Sequence, residues 1–80
     1  MTPEEHHDAL IDARGLSCPL PLVKARQALM VLPPGATVRV LATDPAAPRD
    51  FEEFALLTGH ELKDSREADG VYCFVLVKRG

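Results

Sequence analysis

Ala9-Leu10-Ile11-Asp12-Ala13-Arg14-Gly15-Leu16-Ser17-Cys18-Pro19-Leu20-Pro21 is the stretch on which the reading of this chain turns. Its first five residues form a short, mostly apolar run, a first strand. Arg14-Gly15-Leu16-Ser17 then turns the chain, with Gly15 tolerating a positive φ at low cost. After Pro21, the residues Leu22, Ala25, Leu29 and Leu32 recur at spacings of three and four. Lys24, Arg26 and Gln27 fall between them, which predicts an amphipathic helix. Pro33-Pro34-Gly35 stops it.

Working outward, Thr37-Val38-Arg39-Val40-Leu41-Ala42-Thr43 is β-branched and apolar, a second strand. Asp44-Pro45-Ala46-Ala47-Pro48 turns into a second helix, whose stripe is Phe51, Phe54, Ala55 and Leu57/Thr58. Pro48 suits its first turn, Asp50, Glu52 and Glu53 its positive end, and Gly59 its C-terminal stop. The segment from His60 to Arg66 reads as a polar third strand near an edge. Ala68-Asp69-Gly70 turns the chain into Val71–Lys78, the strongest strand. The order β-α-β-α-β-β implies an α/β (α+β) two-layer sandwich, with a four-stranded mixed sheet and two helices on one face. With strands 1 and 2 parallel, Cys18 and Asp44 project at one carboxyl edge, where open α/β sheets place their chemistry.

Composition agrees with one small domain. The 80 residues are 46% hydrophobic and 26% charged, near globular averages, so a disordered or fibrous chain is excluded. No apolar run approaches the roughly 20 residues of a membrane-spanning helix. Residues 1–8 are acidic, unlike a secretory signal, and are expected to be a flexible tail. Two cysteines far apart make neither a disulfide framework nor a zinc site, which points to the reducing cytoplasm. A monomer or weak dimer is expected.

The net charge of −3 and an aromatic content of 5% argue against nucleic-acid binding. Tyr72 and Phe74 are the only pair placed to form a base-stacking platform. The charge is unevenly spread: no acid lies between Asp12 and Asp44, where Arg14, Lys24, Arg26 and Arg39 all fall. Eight acids then face three bases from Asp44 to Asp69.

Cys18 sits just ahead of a helix, where unpaired N–H groups and the macrodipole favour an anion. Pro19 and Pro21 lack N–H groups, but the donors of Leu20 and Leu22 remain. With Arg14, Lys24 and Arg26 on the same segment and no acid near in sequence, the thiol pKa is expected to fall. The alternative is a buried, inert cap cysteine. Cys73 alternates with Val71, Val75 and Val77 in the last strand and reads as a buried structural thiol. The opposite face, Tyr72, Phe74 and Leu76, is apolar too, so pattern alone leaves the buried face open. His6-His7 reads as part of the tail rather than a metal site, and His60 as a surface residue. Asp44 either initiates a turn or caps the second helix, or meets a partner. Asp50, Glu52 and Glu53 read as a solvated helix start. No metal site or cofactor is called for.

Asp12-x-x-Gly15-Leu16-x-Cys18-Pro19-x-Pro21 resembles the signature of the TusA/SirA family of sulfur carriers. Arg26, Pro34-Gly35 and Thr43-Asp44-Pro45 add to the similarity, which runs from Leu10 to Lys78. The resemblance implies the same two-layer fold. It also implies that Cys18 accepts sulfane sulfur as a persulfide from a cysteine desulfurase or rhodanese-like donor and passes it to an acceptor protein thiol. Destinations in the family include tRNA thiolation, molybdenum-cofactor assembly and sulfur oxidation. By position, Arg26 and Asp44 match partner-contact residues, and Arg14 and Lys24 add positive charge suited to acidic partners. Many members carry an acid between the two prolines, where this chain has Leu20. Two other classes compete: a small nucleic-acid-binding or regulatory module, and a structural interaction domain in which Cys18 is inert.

Overall fold

The computed structural model describes residues 8–80, in the order β1 (Ala9–Ala13), α1 (Leu20–Val31), β2 (Thr37–Ala42), α2 (Ala47–Thr58), β3 (Glu61–Ala68) and β4 (Val71–Val77). The expected sandwich is the observed one. The sheet order is β1-β2-β4-β3, with β1 and β2 parallel and the other pairs antiparallel. α1 packs over β1 and β2, α2 over β3 and β4, and the helices touch each other. Of the segment expected to be a tail, residues 1–7 lie outside the described residues. Asp8 is bonded into the fold: its N–H donates to the Thr37 carbonyl at 2.8 Å and its carboxylate accepts the Thr37 N–H at 2.8 Å.

α1 begins two residues before its apolar pattern does. Pro19 caps it and Pro21 lies in its first turn, where a missing N–H leaves no ladder bond unmade. Pro21, Ala25 and Leu29 are its buried residues, while Leu22 and Leu32 are half-buried against the core. In α2 the buried positions are Ala47, Phe51 and Phe54. Leu57, read as part of that stripe, is 87% exposed. At 100° per residue it stands roughly 80° from the line through Ala47, Phe51 and Phe54, whereas Thr58 falls on it. Gly59 closes α2 with φ +82°, its N–H donating to the Ala55 carbonyl at 2.9 Å.

β3 is an edge strand, polar and interrupted by a register shift between Leu62 and Asp64, both of which discourage strand addition. Asp69 and Gly70 both have positive φ, 53° and 79°, the signature of a two-residue hairpin turn that follows the twist of its strands.

β4 settles the question left open by its two apolar faces. Phe74 and Leu76 are fully buried beneath the helices, with Val38 and Val40 of β2 beside them. Cys73 therefore lies on the uncovered face and is half-buried, not the buried thiol expected. It shares a shallow concavity of about 460 Å³ with Arg39, Asp64, Arg66, Val71 and Val75. Tyr72 and Phe74 stack on each other at 6.3 Å on the helix side, so they present no platform to a base. His60 is structural as well: its ring lies 5.7 Å from Phe54 and its Nδ1 accepts the Arg79 N–H at 3.0 Å.

The centre of the core is Phe51 of α2 stacked on Phe74 of β4, ring centroids 4.4 Å apart and both rings fully buried. Replacing Phe51 with alanine removes that stack and opens a cavity, at a cost of about 3–5 kcal/mol. A domain this small has little stability beyond that to lose. Urea unfolding of Phe51→Ala is expected to show a midpoint far below wild type or no folded baseline at all.

Candidate functional site

Parallel pairing of β1 and β2 delivers two loops to one edge of the sheet. The loop after β1 carries Arg14 to Pro19, and the loop after β2 carries Thr43 to Ala46. Two hydrogen bonds join them: the Gly15 N–H to Thr43 Oγ1 at 2.9 Å, and the Cys18 N–H to Asp44 Oδ2 at 2.6 Å. Gly15 makes the first possible. Its φ of +82° turns the chain after β1, and an L side chain there is strained even though the space around it is open.

Cys18 is exposed at the tip of this edge and joined to Pro19 by a cis peptide bond. The sequence reading places it beside free helix donors and away from acids, and the structure differs in part on the first point and fully on the second. The Leu20 N–H is spent on the Ser17 carbonyl at 2.9 Å, closing the turn into α1. The Cys18 Sγ–H donates to Asp50 Oδ2 at 2.6 Å. That bond to Asp50 raises the thiol pKa above its ordinary value, helped by partial desolvation and by the charges of Asp50 and Asp44. The direction is opposite to the low-pKa thiolate expected from the sequence: both acids favour the protonated thiol. The inert alternative, a buried cap, does not describe it either, since the side chain is exposed.

The basic residues do not gather around the sulfur. Arg14 closes on Asp12 as a two-pronged pair, Nε to Oδ1 and Nη2 to Oδ2, both at 2.8 Å. Arg39 lies on the uncovered sheet face with Cys73. Lys24 is exposed on α1, and Arg26 lines a groove between the helices together with Leu22, Val23, Phe54, Leu57 and Thr58. Leu20, Val23 and Leu57 leave a broad apolar surface exposed on the two helices. Of the motif, Pro21 is buried and Leu22 half-buried, so these two anchor the start of α1 while Cys18, Pro19 and Leu20 stay outside.

Asp50 is the residue that the sequence reading misses. In sequence it is one of three acids at a helix start, but the topology carries the missing signal. Both helices begin at the edge where β1 and β2 end, so a side chain in the first turn of α2 stands beside the loop holding Cys18. Among the described residues there is no cluster of His, Cys, Asp and Glu able to hold a metal ion; His6 and His7 lie outside them. No helix is long and apolar enough to cross a membrane.

Comparison with known proteins is consistent with this geometry. Residues 9–78 match the family model described as sulfurtransferase TusA. The sulfur carrier protein TusA of Allochromatium vinosum is 42% identical over 71 residues, covering 89% of this chain and 93% of that protein. The protein of the same name in Pseudomonas fluorescens is also 42% identical over 71 residues, covering 89% of this chain and 86% of that one. The crystal structure of a SirA-like protein from Desulfitobacterium hafniense superposes with a TM-score of 0.78 at 28% identity, covering 90% of this chain and 99% of that chain.

The Asp12–Arg14 pair gives a direct test of the loop geometry. The guanidinium bond holds the Asp12 carboxyl down from its ordinary 3.8 to about 2. Its folded pKa is depressed, so any stability linked to it is complete above the ordinary carboxylate pKa and is lost as pH falls through about 2. NMR titration is expected to show the Asp12 carboxyl titrating at about 2, and Arg14→Ala to return it toward 3.8.

Proposed function

This chain belongs to the TusA sulfurtransferase family, and from that premise we propose that it is a sulfur carrier working through Cys18. The thiol accepts sulfane sulfur as a persulfide from a cysteine desulfurase or a rhodanese-like donor. A downstream protein thiol then takes the outer sulfur by thiol exchange. The observation that carries this reading is the placement of Cys18: its backbone is fixed by Asp44 while its side chain stands exposed. A carrier needs that combination, because both donor and acceptor must reach one sulfur atom.

Partner contact falls on the helices beside that edge. Arg26 and Lys24 supply positive charge, the exposed Leu20, Val23 and Leu57 supply apolar area, and Arg14 and Asp44 border the contact. A surface of this kind suits brief, charge-steered encounters with acidic partners. The carrier acts as a monomer or weak dimer in the reducing cytoplasm, and needs no cofactor. Its sulfur serves tRNA thiolation, molybdenum-cofactor assembly or sulfur oxidation through protein acceptors, without direct contact with nucleic acid. The inward-facing Tyr72 and Phe74 favour this reading over a base-stacking module.

Intact-mass measurement after incubation with a cysteine desulfurase and L-cysteine tests the proposal. Wild type and Cys73→Ser are expected to gain one reducible sulfur atom, and Cys18→Ser none. A gain that survives in Cys18→Ser, or no gain in wild type with several donors, overturns it.

A further inference from the structure

Building on the reading of Cys18 as the sulfur-carrying thiol, we infer that Asp50 is a catalytic residue that exchanges a proton with Cys18 on each loading and unloading step. The contact is direct, since Asp50 Oδ2 accepts the Cys18 Sγ–H at 2.6 Å. Among the described residues no other group at this edge is placed to do it. The Asp44 carboxylate is engaged by the Cys18 backbone N–H, and the Asp12 carboxylate by Arg14. Among the same residues no cation pairs with Asp50 or Asp44. The charged groups acting on the thiol are therefore both acids, Asp50 from α2 and Asp44 from the loop before it.

The chemistry follows from that arrangement. In the empty carrier the proton sits on sulfur and points at a carboxylate, so little of the reactive thiolate is present. When a donor persulfide arrives, the Cys18 sulfur attacks its outer sulfur. A new S–S bond forms at Cys18, and the thiol proton passes to Asp50. The donor's S–S bond breaks, with its electron pair returning to the donor's inner sulfur as thiolate, which then takes up a proton. With one solvent proton taken up by the departing thiolate, the sum of loading is RSH plus the Asp50 carboxylate plus R′SSH plus H⁺ giving RSSH plus the Asp50 carboxylic acid plus R′SH, with no net oxidation. Unloading runs the same path in reverse: an acceptor thiolate attacks the outer sulfur, the electron pair returns to Cys18, and Asp50 gives the proton back. Asp50 is thus general base in one half and general acid in the other.

The test combines two readouts on the full chain, for wild type, Asp50→Asn and Asp50→Glu, with circular dichroism confirming the fold of each. The first is the pH profile of alkylation by iodoacetamide, followed by intact mass. In wild type the midpoint is expected to lie above the range of an ordinary thiol, and in Asp50→Asn to fall toward it. The thiolate fraction at neutral pH then rises about tenfold for every pH unit by which the midpoint drops, and the alkylation rate about threefold, because a less basic thiolate is also less nucleophilic. The second is the rate of persulfide loading from a cysteine desulfurase, expected to fall roughly 10²-fold in Asp50→Asn and to be partly restored in Asp50→Glu. Faster alkylation together with slower loading is the signature of a lost proton acceptor, which a merely structural role does not produce. Unchanged alkylation, or faster alkylation with undiminished loading, overturns the inference. Failure of wild type to load at all removes the carrier reading and the transfer role with it, whereas the alkylation profile still reports whether Asp50 controls the Cys18 proton.

Discussion

β1 and β2 run parallel in register from Ala9 opposite Val38 to Ala13 opposite Ala42, so both segments leave the sheet at the same edge, one strand spacing apart. Neighbouring strands lie about 4.8 Å from each other, which brings the loops that follow within hydrogen-bond reach. The bonds from Gly15 to Thr43 and from Cys18 to Asp44 are consequences of that proximity. So is the approach of Asp50, because α2 must begin where β2 ends. An antiparallel pairing would have sent these loops to opposite edges and left Cys18 without either acid.

The electrostatics of the edge show how poorly sequence distance stands in for distance in space. The long acid-free interval around Cys18 suggests a positive setting. Folding undoes it twice over. Arg14 is neutralised by Asp12, which lies only two residues before it, and Arg39 is carried to the other face of the sheet. Meanwhile the acid-rich second half supplies both acids that bond Cys18, Asp44 at its backbone N–H and Asp50 at its thiol. Lys24 and Arg26 stay exposed on α1, and neither forms an ion pair among the described residues.

Much of the fold is legible in the residues themselves. The Pro33-Pro34-Gly35 stop, the Asp69-Gly70 turn and the polar character of β3 are local signals, and local signals fix boundaries to within a residue or two. Leu57 and Cys73 are misread for a different reason. Each lies in a segment with more apolar residues than one face can use, and burial is then decided by the partner layer, which periodicity does not describe. The covering of Phe74 rather than Cys73 is settled by Phe51 on α2, a contact between segments more than twenty residues apart. Cys18 itself announces the site through its prolines and glycine. Asp50 does not, since a lone carboxylate in a first helical turn has the same appearance whether it faces water or a thiol.

The acids that govern Cys18 reach it from a segment that begins 26 residues farther along the chain. The motif and the acids that meet it are therefore separate in sequence and can be substituted independently. Substitutions in the opening turn of α2 can retune the sulfur while Cys-Pro-Leu-Pro passes unchanged from one descendant to the next.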